Sequence, residues 1–568
     1  MLNKDIANIF NEIADLLELK GVEYKPRAYR RAARNIEAMK EETIKNYYET
    51  DRLTDIEGVG KSLAAKIHEI IETGSLGYLE QLRNDVPERL RDVMGVPGLG
   101  PKSAKKLYEE LGISDLGALK AKAEAGDIRK VKGFGKKTEQ QILKGIRMLK
   151  EVSGRRLISE MMPIAKDLKE YLSPHTGHIA IAGSLRRWKE TIGDIDMVST
   201  GVSSKIMDTF VRYADVDEVL VRGETKTSIR LENGVRIDLR VVDAESYGAA
   251  VVYFTGSKAH NIALRKIANE RDYKLNEYGL FERDTKNKIA GKTEEDVYKA
   301  LSLSWIPPEL REDRGELKAA KKNALPDLIT LEDIKGDLQT HSDWSDGHHS
   351  IEEMAREAKQ KGYEYIALTD HSEGIAVVEG MSMDDLDQRL TEIENAQKAI
   401  GITILNGVEV DIRKDGSLEM DTEALESVDL VIGAIHSNFK LNGKEQTQRI
   451  KDAFSTGLID IFAHPTGRKI GVREPYEVNF SELCTVAKTY NVALEINAFP
   501  RRFDLDSEYA RNAMQSDVML SLGTDAHGLT HLDYMKYGVG VARRAWLEPK
   551  HLLNTRSYKE LVQFLKAR

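Results

Sequence analysis

The sequence predicts a multidomain chain: an all-α head, an α+β middle and an α/β C-terminal third. Three observations carry that expectation. A Gly-apolar-Gly triplet recurs three times between helical patterns in the first 150 residues. At 178–200, HIAIAGSLRRWKETIGDIDMVST sets short apolar strands around a polar turn. After 335, apolar strands alternate with helical stretches and end in His, Asp or Glu. At 568 residues the chain is also far longer than one core serves.

Composition narrows the class. No apolar run approaches ~20 residues, so no membrane span is expected. The N-terminal MLNKDIANIFNEIADLL is an amphipathic helix pattern with acids throughout, unlike a signal peptide. A single cysteine, Cys484 in SELCTVAK, excludes an internal disulfide and reads as a small core residue. A cytoplasmic, monomeric protein is the expectation. The net charge of −9 conceals an asymmetry: residues 1–150 carry 28 Lys/Arg against 24 Asp/Glu, the remainder 56 against 69. A mildly basic head can still grip phosphates through local patches.

Residues 1–80 read as short helices. YKPRAYRRAARNIEAM spaces Arg27, Arg30, Arg31 and Arg34 along a helix beside Tyr29, which suits a face laid on a nucleic-acid backbone; a solvated basic face has the same spacing. Then come the triplets Gly58-Val59-Gly60, Gly98-Leu99-Gly100 and Gly133-Phe134-Gly135, followed by KSLAAK, PKSAKK (with Lys102) and KKTEQQ. A tight Gly turn between two helices exposes N–H groups at the second helix's start, where the dipole favours an anion. The pattern resembles the helix-hairpin-helix motif, which holds DNA backbone without reading its sequence. The third copy could equally serve packing.

In the middle, residues two apart on a strand share a face, so Asp194 and Asp196 aim at one point while Ile195 turns inward. Two such carboxylates repel unless a cation lies between them, and hard oxygen ligands suit Mg²⁺ or Mn²⁺. Gly183-Ser184 permits a close backbone approach, and with Arg186 and Arg187 offers the parts of a polyphosphate cradle. A third acid, Asp238 in GVRIDLRVVD, sits mid-strand with Arg236 and Arg240 on its own face.

GSLRR, GDIDM, RIDLR and YFTGS together resemble the palm of family X DNA polymerases, the polymerase beta-like enzymes. That resemblance implies two Mg²⁺ or Mn²⁺ ions held by Asp194, Asp196 and Asp238, with Asp238 as proton acceptor from the primer. It implies a nucleotide site from Gly183, Ser184, Arg187, Gly193, Tyr253, Phe254, Gly256 and Asn261. Read without it, Tyr253-Phe254 is a strand-end aromatic core pair. Deoxynucleoside triphosphates and gapped or nicked duplex DNA would be the partners, with Arg236, Arg240 and the hairpin glycines on the DNA. GVGKSLAAKIHEII resembles the family's lyase domain, whose Schiff-base lysine falls on Lys66. Such an amine needs cationic neighbours or partial burial, and Lys61 with the arginines near Tyr29 could supply the former. The implied division is a lyase-like domain at 1–80, fingers at 81–151, palm at 152–243 and thumb at 244–316. A charged linker at 317–334 follows.

From 335 the strands YIALTDH, ILNGVEV, LVIGAIHS, IDIFAHP and MLSLGTDAH, with DLQTHSDWSDG, place His341, Asp346, His371, Glu409, His436, His464, Asp525 and His527 at strand ends. A parallel barrel builds its site this way. The segments resemble the PHP (polymerase and histidinol phosphatase) domain, which implies a distorted (β/α)7 barrel with up to three Zn²⁺ or Mn²⁺ ions and 3′→5′ exonuclease chemistry. One departure matters. The family's first motif is His-x-His, whereas Gln339 stands at its first position here, and a neutral amide oxygen is a poor ligand for zinc or manganese. One ion position should therefore be weakened. The combination resembles the bacterial and archaeal gap-filling repair polymerases of this family. A template-independent nucleotidyltransferase, and a DNA-binding scaffold with a structural barrel, are the alternatives.

Overall fold

A computed structural model describes residues 2–39, 41–73, 76–84, 90, 93, 94, 96, 99–152, 154–373 and 380–566. In the head, the helices Leu2–Leu19 and Lys25–Ala38 pack through Phe10 and Tyr29, whose rings meet edge to face at 5.4 Å. One backbone hydrogen bond recurs at the three hairpins. Val59, Leu99 and Phe134 donate their N–H groups to the carbonyls of Ile56, Val96 and Val131, each at 2.9 Å, and bury their side chains. Gly58 (φ 77°) and Gly133 (φ 91°) adopt the left-handed backbone this turn requires. Helices then start at Lys61, Pro101 and Lys136. Gly98 lies outside the described residues.

The middle carries a five-stranded sheet: β1 (His178–Ile181), β2 (Ile195–Thr200), β3 (Val216–Arg222), β4 (Lys226–Leu231) and β5 (Arg236–Val242). Its order is β1-β2-β5-β4-β3, and only β2 and β5 run parallel. The helix Ile158–Leu172 covers one face with Met161, Ala165, Leu168 and Leu172. Two expectations are corrected. Tyr253 and Phe254 end a helix, Tyr247–Thr255, not a strand; its apolar run AAVV is buried on all sides, which leaves no periodicity to read. The expected linker 317–334 is folded rather than extended: Glu316–Lys321 is helical, and Leu317, Ala320 and Leu328 join the core around Tyr298 and Leu310.

The C-terminal third is a seven-stranded parallel barrel: β6 (Gly336–Thr340), β7 (Tyr365–Leu368), β8 (Thr403–Asp411), β9 (Leu430–Ala434), β10 (Ile461–Phe462), β11 (Ala493–Asn497) and β12 (Leu520–Gly523). Neighbours follow chain order. Just past β12, His341 N–H reaches the Ala526 carbonyl (2.8 Å) and Asp525 N–H the Gln339 carbonyl (3.0 Å), which brings first and last strands together. Palm and barrel share one apolar cluster. Trp188 lies so close over Gly540 that a Cβ there would stand 2.5 Å from its ring. Around that contact, Arg544 donates to the Arg187 carbonyl (2.7 Å) and Arg468 pairs with Glu190 (2.9 Å). Among the described residues no helix is long and apolar enough to cross a membrane.

Candidate metal centres and nucleic-acid interface

In the palm, Asp196 and Asp238 are register partners across β2 and β5. Ile195 is fully buried, as alternation demands, while Asp194 stands just before the strand. Gly183 opens the short helix Gly183–Arg186 at φ 63°, and a Cβ there would meet Asp196 Oδ2 at 2.6 Å. Only glycine lets the backbone come this near the carboxylate. Burial first, then Asp194, pushes the Asp196 carboxyl up to about 6, against the pull of Arg240. Asp238 goes the other way: burial works to raise it, but Lys226 (2.7 Å) and Arg236 (3.2 Å) hold it below the usual range. The two register partners are thus shifted in opposite directions, Asp196 up and Asp238 down. Arg240 bridges Asp196 (3.2 Å) and Asp238 (4.0 Å), and its guanidinium lies 3.9 Å above the Phe254 ring.

The three palm acids are not gathered as tightly as the barrel groups, whose ligand atoms lie within 4.8 Å of one another. Acids that share two ions about 3.5–4 Å apart need no single common sphere. The donor set fits: hard carboxylate oxygens, one of them raised by burial and then by Asp194, beside a glycine whose backbone approaches it closely.

Other expected nucleotide contacts are distributed differently. Arg187 is committed to Glu312 (3.1 Å) and the Thr255 carbonyl, and Arg186 to Glu294 (2.7 Å). Glu312 also takes Lys189 (3.5 Å) and Arg544 (3.1 Å), so this cradle arginine is tied to the barrel. Ser184 and Gly193 are half-buried beside the acids, and Gly256 is buried at φ 66°. Asn261 donates to the Tyr253 carbonyl (2.6 Å), which fixes the aromatic pair against the next helix.

In the head, Gly60, Gly100 and Gly135 precede their helices with open space where a side chain would be, and Lys102 is exposed on the second helix. The arginine face is partly spent internally: Arg30 pairs with Asp15 (2.7 Å) and Glu18 (2.9 Å), Arg31 with Glu57, and Tyr29 is core. Lys66 has an aromatic neighbour, its Nζ lying 5.0 Å from the Tyr78 ring centre.

The barrel brings all eight expected ligands to one mouth, with Glu409 at the centre. Its Oε1 meets His436 and His464, each at 3.2 Å, and its Oε2 faces His341 (3.4 Å) and His371 (3.8 Å). Burial opposes the Glu409 charge, yet His371, His341, His436 and His464 hold its carboxyl well below the usual range. Burial drives His371 to about 4; burial and then Arg502 drive His464 to about 3, so both are neutral imidazoles, the ligand form. His436 goes to about 9 because hydrogen bonds to Asp411 and Glu409 outweigh its burial. Two overlapping groups, which share His371, could hold an ion: His341, Asp346, His371 and His527; and His371, Glu409 and His436. Imidazoles and carboxylates in buried, close-set groups fit a resident transition-metal or zinc site.

The sequence reading missed several side chains here. Asp411 lies two residues beyond Glu409 on the same strand face and receives His436 N–H (3.0 Å); period two could have revealed it. Arg502, whose Nε is 3.0 Å from Asp525, carries no sequence signal. Gln339, noted as a departure, donates its amide to Glu409 (2.8 Å).

Comparison with known proteins agrees region by region. Residues 1–76 match a helix-hairpin-helix domain and 90–148 a SAM-like helix-hairpin-helix tandem. Residues 250–312 match the DNA polymerase beta thumb, and 337–498 the PHP domain. DNA polymerase lambda of Arabidopsis thaliana is 28% identical over 55% of this chain and 62% of its own length. The Rattus norvegicus DNA polymerase lambda is 26% identical over 55% and 56%. The "DNA polymerase/3'-5' exonuclease PolX" of Bacillus subtilis is 39% identical over the full length of both chains. This chain belongs to the PolX family, in which a family X polymerase is joined to a PHP domain.

Proposed function

We propose that the chain is a DNA-directed DNA polymerase that fills short gaps during repair, with a 3′→5′ exonuclease in its barrel. The observation that carries the polymerase half is the Asp196–Asp238 register pair with Gly183 pressed against it. Mg²⁺ or Mn²⁺ ions bound by Asp194, Asp196 and Asp238 would activate the primer 3′-hydroxyl and screen the triphosphate. The chain's own residues do the rest. Ser184 and the backbone at Gly183 orient phosphate, Arg240 balances the acids, and Phe254 under Arg240 sets the wall against which the nucleotide sugar would lie. The three hairpins hold duplex backbone without regard to sequence, as a gap-filling enzyme requires.

For the barrel, Zn²⁺ or Mn²⁺ held by the two histidine-carboxylate groups would supply a nucleophilic water for phosphodiester hydrolysis. Glu409 then positions His341, His436 and His464 around one carboxylate. A DNA substrate and a single, buried cysteine suit a reducing cytoplasm. The division into lyase-like, finger, palm, thumb and barrel regions at the boundaries given above is part of this reading.

The test is primer extension and primer degradation on a gapped duplex, with Mg²⁺ and with Mn²⁺. Template-directed filling that stops at the gap end, together with 3′-end removal, is expected. Incorporation that ignores the template would replace this reading with a terminal nucleotidyltransferase.

A further inference from the structure

The PHP resemblance allows up to three ions, while the described residues gather two close-set groups. Asp525, a carboxylate of the barrel mouth, lies outside both close-set groups. Its Oδ1 faces His341 (3.4 Å) and His527 (3.6 Å), as a ligand would. Its Oδ2, however, is held by Arg502 Nε (3.0 Å) and by the Asn497 amide (3.2 Å). Across the same mouth, Gln339 stands where a ligand histidine is expected. Its amide N–H₂ points at Glu409, and its buried Oε1 has no hydrogen-bond partner.

We infer that the barrel binds two divalent ions, not three, and that the Arg502 guanidinium supplies the fixed positive charge of the third position.

The argument is electrostatic and geometric. A guanidinium does not lose its proton, so it cannot be titrated aside to admit a cation. An ion that captured Asp525 would take from Arg502, 14% exposed, the carboxylate that its Nε pairs with, and breaking a largely desolvated pair is costly. It would also meet like charge from Lys469 and Arg473, which flank Arg502. Arg502 is held from two sides. Its own N–H bonds the Phe499 carbonyl (2.7 Å), and its carbonyl receives Arg468 Nε (3.0 Å). The adjoining Arg501 carbonyl accepts Ile470 N–H (2.7 Å), which locks the loop after β11 to the loop after β10. Gln339 and the Arg502 cation therefore form one arrangement: the first offers no imidazole, and the second holds the Asp525 carboxylate.

This inference rests on the metal-dependent barrel proposed above, and metal counting separates the two. Full-length protein carrying Asp194→Asn and Asp196→Asn, to silence the palm, is loaded with Mn²⁺ or with Zn²⁺, freed of excess metal and analysed by mass spectrometry. Two ions per chain are expected. In the same background, Gln339→His with Arg502→Met should raise the count to three, while Gln339→His with Arg502→Lys should keep it at two. Circular dichroism confirms that each variant is folded, and a misfolded methionine variant leaves the parent count as the deciding result. Three ions in the parent protein, or an unchanged count in the folded methionine variant, would overturn the role given to Arg502. No retained metal at all would instead overturn the metal-dependent barrel itself.

Discussion

The palm and the barrel solve the same problem, crowded carboxylates, in opposite ways. In the palm, Asp196 and Asp238 are neutralised by Arg240, Lys226 and Arg236 from the same sheet, side chains that are 19–48% exposed. In the barrel, Glu409 is neutralised by imidazoles in a site where Glu409, His341 and His464 are at most 2% exposed. Movable lysine and arginine side chains suit ions that arrive and leave with each nucleotide. The barrel imidazoles are fixed by burial: His371 and His464 are held neutral, while His341 and His436 are held protonated beside Glu409. The difference is between acids balanced by partly exposed, movable cations and a carboxylate enclosed by buried imidazoles.

The comparison can be broken most sharply at Glu409. Glu409→Gln removes the charge around which four histidines are arranged, so exonuclease activity should fall by about 10³-fold, the several kcal/mol expected for lost charge stabilisation. Metal retained after desalting should fall with it, while gap filling persists. Unchanged metal retention would end the account of Glu409 as the central ligand.

A smaller effect should appear at Asp196. Its folded-state value of about 6 lies above the ordinary 3.8, so the stabilising protonated form is fully present below about pH 4 and is lost as pH rises through about 6. The ionised acid then costs about 3 kcal/mol in metal-free protein, with the pull of Arg240 already included. Thermal melts in EDTA should therefore show Asp196→Asn more stable than the parent at pH 7.5 and equal to it near pH 4. A variant less stable than its parent at pH 7.5 would contradict the repulsion described here.

Gly183→Ala should cost about 1–2 kcal/mol from the left-handed backbone alone. Its methyl group must also displace Asp196, so incorporation should drop with the exonuclease unaffected. Equal incorporation by parent and variant would show that the backbone approach does not position the acid. The smallest expected change is at Lys102. Replacing this exposed lysine by alanine should weaken binding to all duplexes alike and reduce the slope of log affinity against log salt by about one. A sequence-dependent loss would place it off the backbone.

Much of this was legible from the sequence because the chemistry follows short-range periodicity. Period two put Asp194, Asp196 and Asp238 on one side of a sheet, and apolar strands ending in His or Asp marked the barrel mouth. The hairpin triplets were legible because only glycine permits their turn. What escaped notice depends on contacts between segments distant in the chain. Arg502 matters because two loops are joined by the Ile470–Arg501 hydrogen bond, and Arg187 is held through Glu312 by Arg544, 357 residues away. The helix at 247–255 was obscured by burial on every side, and the segment at 317–334 by its charge. Arg311, six residues before that segment, shows why charge misleads: it is fully buried against Glu294 (2.7 Å) in the same core.

The most direct test runs Asp196→Asn and His371→Ala side by side on one gapped duplex, reading extension and 3′-end degradation in the same lanes. The account predicts a reciprocal result: the first variant degrades but does not extend, and the second extends but does not degrade. A single substitution that abolishes both activities in folded protein would contradict two separate metal centres.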